Sequence, residues 1–115
     1  MLHYTDITDK NLAHLPTGTT IKGEFHFSGP TYVQSNLEGN FFLHNNCYLQ
    51  IGVEAYVQGP IKGGTVEILG RFQGEIDAEK IIIGPVAKVN ADLKSKELVV
   101  FPGAILNSRS DIDAN

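Results

Sequence analysis

The residues best able to bind a metal are a histidine and a cysteine separated by two asparagines. In His44-Asn45-Asn46-Cys47 an imidazole nitrogen and a thiolate are close enough in sequence to hold one zinc ion. A structural zinc site needs about four ligands, and the sequence contains no second pair of this kind. We therefore interpret the segment as a polar loop that carries an incidental histidine and thiol, and we predict no metal and no cofactor.

A histidine could also serve as a catalytic base. His44 would be the candidate in the groove of a hexapeptide acyltransferase, but the steady six-residue step of those enzymes is missing. His26 alternates with Phe25 and Phe27, so we expect it to point outward from a strand. We predict no catalytic histidine.

Three carboxylates offer the best acid/base chemistry in the chain. Glu75, Asp77 and Asp92 would share a face if neighbouring turns of a coil stacked on each other, and carbohydrate-cleaving β-helices cluster carboxylates in one groove. Lys80, Lys94 and Lys96 are interspersed nearby, which favours solvated surface charge. We predict no catalytic residue and no enzyme. A small β-helix enzyme, acyltransferase-like or carbohydrate-active, is the alternative.

Length, charge and cysteine content exclude several functional classes. A chain of 115 residues is long enough for one domain with its own core. The formal net charge is −4, and no basic stripe accompanies the few aromatic residues, which argues against nucleic-acid binding. The single cysteine cannot form a disulfide framework, and the sequence shows neither an apolar run as long as a membrane span nor a secretory signal. We therefore predict a cytoplasmic protein.

A repeated five-residue unit organises most of the chain. The unit has the form apolar-x-small-x-apolar, although the last copy lacks the second apolar residue. Its six copies are centred on Gly23, Gly39, Gly59, Gly74, Ala91 and Ser108. The gaps between these centres are 16, 20, 15, 17 and 17 residues, and the extra residues of the longest gap fall in a loop at residues 44–47. A second apolar pair, such as Ile81 and Ile83, follows the units.

Short strands that repeat at this period are typical of a parallel β-helix, in which each turn stacks on the turn before it. We predict an all-β, right-handed parallel β-helix of about six turns, and we base the hand on the general preference for right-handed crossovers. The chain lacks the Leu/Asn pattern of a leucine-rich repeat, and its uneven gaps do not fit the constant six-residue step of a left-handed hexapeptide helix. Residues 18–110 would form this domain, residues 1–17 a short irregular N-terminal tail or cap, and residues 111–115 a C-terminal tail.

The same repeats make the chain similar to the bactofilin family. The resemblance covers roughly residues 17–110 and is carried by segments 21–25, 37–41, 51–61, 74–83 and 98–104. It implies a bacterial cytoskeletal scaffold that polymerises end to end without a nucleotide and serves cell shape or the localisation of partner proteins. The implied place is the cytoplasm, at the inner face of the cell membrane. Many members carry a membrane-targeting N-terminal segment, whereas here Asp6 and Asp9 follow a barely apolar start, which argues against direct membrane binding.

The two terminal turns are the predicted polymer contacts, because the end of a β-helix presents open backbone groups and an apolar cross-section. The contact residues would be Ile21, Phe25, Phe27 and Val33 in the first turn and Leu98, Val100, Phe101, Ile105 and Leu106 in the last. Residues 1–16 could cover the first turn. The expected partners are other copies of the chain and cell-wall or membrane-associated proteins, with no nucleic acid. A monomeric adaptor is a further alternative.

Overall fold

The computed structural model describes residues 20–112, apart from the side chains of residue 45 and residues 108–112. This part of the chain consists of strands and turns and contains no helix. The seven strands are β1 (Thr20–Val33), β2 (Asn36–Ile51), β3 (Tyr56–Lys62), β4 (Thr65–Ile68), β5 (Arg71–Ile83), β6 (Lys88–Val100) and β7 (Ile105–Ile112). The predicted tail at residues 1–17 lies outside the described residues, and β7 runs two residues past the predicted domain end at 110.

All strand pairs are parallel, and each strand pairs with the strand one turn further along the chain. The order is β1-β2-β3-β5-β6-β7, with β4 between β2 and β5. The chain therefore coils through five complete turns, and β7 begins a sixth. The predicted all-β parallel β-helix is confirmed, while its right hand stays a prediction.

The interior is built from rows of apolar side chains that the parallel register stacks along the coil axis. The four rows, apolar except at Thr31, are Ile21, Leu37, Val57, Phe72, Val89 and Leu106; Phe25, Phe41, Ile61, Ile76 and Leu93; Thr31, Leu49, Val66, Ile81 and Leu98; and Val33, Ile51, Ile68, Ile83 and Val100. Most of these side chains are buried. Alternation inside each strand thus places every second residue in the core.

The irregular spacing of the repeats is confined to two corners of the coil. At the first, the β1–β2 register shifts between Ser28 and Pro30, so that residues 45–47 lie opposite one residue of β1. At the second, residues 52–55, 84–87 and 101–104 form equivalent turns, each closed by a hydrogen bond from its last N–H to its first carbonyl. Residues 69–70 replace that turn in the shortest repeat. The inner rows stay in register because the length changes occur between them.

The small residues at the centres of the repeats form a row of their own, where successive turns approach most closely. Gly39 has φ +151° and Gly59 has φ +127°, conformations that side chains with a Cβ rarely adopt. A Cβ on Gly39 would meet the carbonyl oxygen of Gly23, and a Cβ on Gly59 would meet that of Gly39. At Gly39 and Gly59 the absence of a side chain thus allows the strand to bend and the turns to stack, whereas Ala91 takes the equivalent place opposite Gly74.

Gly39→Ala tests this close approach. We expect it to lower the free energy of unfolding by more than about 3 kcal/mol, because backbone strain of ~1–3 kcal/mol adds to a clash with the neighbouring backbone. Gly29→Ala is the matched control, since Gly29 also has positive φ (+70°) but has no atom within 4 Å of an added Cβ. Urea unfolding followed by circular dichroism compares the two. An equal loss in both variants would show that backbone conformation alone, and not the approach of turns, constrains this row.

Outward-facing side chains also join neighbouring turns. The Tyr48 hydroxyl donates a hydrogen bond to Glu67 Oε1 at 2.6 Å, and Gln50 Nε2 donates to the same oxygen at 3.3 Å. A tyrosinate could not donate and would lie against a carboxylate. The hydrogen bond to Glu67, with smaller contributions from burial and charge, raises the pKa of Tyr48 to about 12.

Because the pKa of Tyr48 is raised, the free energy of unfolding should decrease at high pH. Because the folded-state pKa of Tyr48 exceeds its ordinary value of about 10, the stabilisation is complete below pH 10 and is lost as the pH rises through about 12. Tyrosinate absorbance, compared with that of Tyr48→Phe, should show Tyr48 ionising near pH 12. Glu67→Gln should move that midpoint down towards 10. A midpoint near 10 in the unmodified protein would show that the hydrogen bond does not form.

Candidate functional site

The two ends of the coil differ in how much of their backbone and core is left uncovered. Within residues 20–112, β1 pairs only with β2 and β7 pairs only with β6, so each presents one strand edge. Because β7 covers only the first part of the last turn, nothing described in the chain stacks on the second part, around Leu98 and Val100. At the C-terminal end the open strand edge therefore belongs to β7 over the first part of the turn and to β6 over the second part. We call this arrangement the step.

Apolar side chains are exposed on this step. Val100 is 43 % exposed, Phe101 46 % and Ile105 59 %. Leu98 and Leu106 are partly buried and pack against the core as the last members of inner rows. We call these five residues the C-terminal apolar surface. They are the second half of the contact set predicted from the sequence, and the structure brings them together at one end.

The N-terminal end has a different character. Phe25, Phe27 and Val33 are each at most 1 % exposed, and Ile21 is partly buried. The Phe25 ring stacks on that of Phe41, with ring centroids 4.8 Å apart and planes 9° from parallel. These four residues therefore do not form an exposed surface. Their role in contacts between copies stays a prediction.

The three carboxylates that the sequence placed on one face do line one shallow groove. Glu75 and Asp92 are register partners, Asp77 is the register partner of Lys94, and Lys62 completes the row with Asp77. The groove has a volume of about 340 Å³, and all three carboxylates are exposed. A general acid in a glycosidase is held in a less polar environment. This groove, with lysines between its acids, is a mixed-charge surface.

The structure corrects the interpretation of the loop at residues 44–47. Cys47 is a fully buried core residue, with its Sγ 4.0 Å from Thr31 Oγ1, whereas His44 is exposed. The prediction that Cys47 belongs to an extruded polar loop is wrong. Asn46, with φ +59°, lies directly before Cys47 in the three-residue segment that faces one residue of β1. His44 and Cys47 point to opposite sides of the strand and cannot share a metal.

His44 instead meets His26, a contact that the sequence reasoning missed. His26 Nδ1 lies 2.9 Å from His44 Nε2, and His26 Nε2 lies 3.4 Å from Glu24 Oε2. The ladder aligns His44 with Ser28, which places it diagonally next to His26. In residues 20–112 no group of three or more histidine, cysteine or acidic side chains is placed to hold a metal.

A family comparison decides what kind of coil this is. The family model for bactofilins, described as polymer-forming cytoskeletal proteins, matches residues 13–111. The chain belongs to the bactofilin family. No curated protein and no solved structure matches the chain significantly. As a bactofilin, the chain is a member of a polymer-forming cytoskeletal family, and its parallel β-helix fits that assignment. Within residues 20–112, no helix is long and apolar enough to cross a membrane.

The buried position of Cys47 gives a test of the corner at residues 45–47. Burial raises the pKa of the Cys47 thiol, so native protein should react with iodoacetamide at least ~100-fold more slowly than unfolded protein. The matched control is Asn107→Cys in a Cys47→Ala background, because Asn107 is exposed and its thiol should react at the unfolded rate. Rapid native alkylation of Cys47, followed by mass spectrometry, would place the thiol outside the core.

Proposed function

We propose that this bactofilin is a non-enzymatic scaffold whose copies assemble end to end into filaments through the C-terminal apolar surface. The observation that carries the proposal is the step at the end of the coil, where Val100, Phe101 and Ile105 are exposed beside an open strand edge. A partner stacked on this step would continue the ladder and cover the uncovered core rows.

The forces available at this contact need no nucleotide. Fully burying an apolar side chain contributes ~1.5–3 kcal/mol, and each backbone hydrogen bond made at the strand edge adds ~0.5–1.5 kcal/mol. Since the side chains of the C-terminal apolar surface are already partly covered, each gains less than its full value. Association at micromolar concentrations corresponds to about 8 kcal/mol, so several such contributions must act together to exceed the cost of lost translational and rotational freedom.

The lateral faces of such a filament would remain free for other proteins. We infer a role in cell shape or in the localisation of cell-wall or membrane-associated proteins, in the cytoplasm at the inner face of the cell membrane. The description of the family as polymer-forming and cytoskeletal supports self-association and a scaffold role. The outward rows of charged and amide side chains, which repeat from turn to turn, suit the recruitment of polar partners.

Phe101→Arg tests the contact directly. Each association would have to bury a guanidinium, so we expect the concentration needed for sedimentable filaments to rise at least ~10-fold. Val53→Arg is the matched control, because Val53 is 61 % exposed in the equivalent turn of an interior repeat, away from the end. Sedimentation and electron microscopy in nucleotide-free buffer provide the measurement.

Two results would contradict the proposal. Filaments that form equally well with Phe101→Arg would show that the C-terminal apolar surface is not the contact. A protein that stays monomeric at high concentration without any substitution would favour the monomeric adaptor, or an enzyme that uses the groove of Glu75, Asp77 and Asp92.

A further inference from the structure

Two cations lie side by side on the outer face of the coil. Arg71 on β5 and Lys88 on β6 are register partners, and both side chains are exposed. Their backbones are one strand spacing apart, about 4.8 Å, a separation at which like charges repel and destabilise a sheet. The ion pairs found within residues 20–112 join other residues, namely Lys22–Glu38, Glu24–His26, Lys80–Glu97 and Lys96–Glu79.

This pair differs from the other cations of the described chain. Lys22, Lys80 and Lys96 each have a carboxylate partner, and Lys62 and Lys94 flank Asp77 in their row. The whole chain carries a formal net charge of −4. Among the described residues, two adjacent cations without a carboxylate partner are therefore exceptional, and an anionic ligand would offset their repulsion.

Neighbouring side chains hold this pair in an ordered arrangement. The Arg71 guanidinium carbon lies 5.1 Å from the centroid of the Tyr56 ring, so the planar group rests on an aromatic face. The Tyr56 hydroxyl donates a hydrogen bond to Gln73 Oε1 at 2.8 Å. With its oxygen occupied, the Gln73 side chain has its amide N–H groups left to donate.

These groups line a common shallow groove of about 290 Å³. Gln73 and Asn90 are register partners on one side of it, and Arg71 and Lys88 are register partners on the other. Among the described residues that line the groove, none carries a carboxylate. Glu38, the acid in the Gln73 row, lies two turns away and pairs with Lys22 at 3.5 Å.

We propose that this groove binds the phosphoryl group of a phosphate monoester. The guanidinium of Arg71 supplies a planar fork of donors that suits phosphate oxygens, and the ammonium of Lys88 supplies a second charge from the neighbouring register position. Because the two cations occupy adjacent register positions, they suit a single dianionic group better than separate carboxylates along a peptide. The amides of Gln73 and Asn90 would donate to the remaining oxygens. The groove lies on a lateral face, where Ile105 of the C-terminal apolar surface borders it, and the proposed ligand contacts come from β5 and β6 alone. The inference therefore does not require end-to-end assembly.

The test compares two double variants that remove the same charge. Phosphorus NMR at fixed ionic strength measures binding of inorganic phosphate and of glycerol 2-phosphate. We expect R71Q/K88Q to weaken binding at least ~10-fold, whereas K62Q/K94Q should change it less than ~2-fold. Arg71→Lys, which keeps the charge but loses the fork, should give an intermediate loss.

Vesicles distinguish a free phosphate ester from a lipid headgroup. Binding to phosphatidic acid in phosphatidylcholine, absent with phosphatidylcholine alone and lost in R71Q/K88Q, would support the site with a lipid source; binding of the soluble esters alone would support it with a free one. The proposal is overturned if the unmodified protein binds none of these probes, or if both double variants lose binding equally. Circular dichroism confirms that each variant is folded.

Discussion

The coil depends on how closely successive turns approach at the row of small residues. The carbonyl oxygen of Gly23 occupies the place where a Cβ on Gly39 would lie, and the carbonyl oxygen of Gly39 stands in the same relation to Gly59. Positive φ at Gly23, Gly39 and Gly59 bends β1, β2 and β3, so that each of these strands contributes apolar residues to the inner rows on both sides of its bend. Because the turns are held in this register, equivalent residues stack in rows both inside and outside the coil, and the first and last turns are left with open edges.

An open end is the consequence of such a coil that bears on function. A β-helix satisfies its backbone groups turn against turn, so its last turn offers a template for another strand. At the C-terminal end the template is accompanied by exposed apolar side chains, whereas at the N-terminal end the aromatic residues of the first turn are buried. The two ends are thus unequal, and this inequality constrains any polymer. If the C-terminal surfaces of two copies bind each other, the contact is two-fold symmetric and closed. If the C-terminal surface of one copy binds the N-terminal end of the next, the contact repeats and gives a filament.

The sequence predicted most of the fold because a parallel ladder repeats the same chemistry at the same position. The row from Gly23 to Ser108 and the apolar pairs such as Ile81 and Ile83 could be aligned without a structure. Cys47 was misassigned because its neighbours in sequence are polar. The alternation of the strand pointed to the correct answer, since Cys47 is an even number of residues from the buried Leu43 and Leu49. The alternation around His26 indicated that Phe25 and Phe27 face inward, but it did not indicate how completely the first turn is buried, because the repeats encode only the stacking of one turn on the next. The His26–His44 contact forms next to the register shift between β1 and β2. The sequence shows that extra residues are present there but not the path they take, so the contact could not be predicted.

Fibre diffraction from oriented filaments tests the central claim, that copies stack along the coil axis and continue the ladder. Strands perpendicular to the filament axis should give a meridional reflection near 4.8 Å, the spacing between neighbouring strands. A filament whose copies associate side by side would place the strand spacing away from the meridian. A 4.8 Å reflection on the equator would therefore contradict the account.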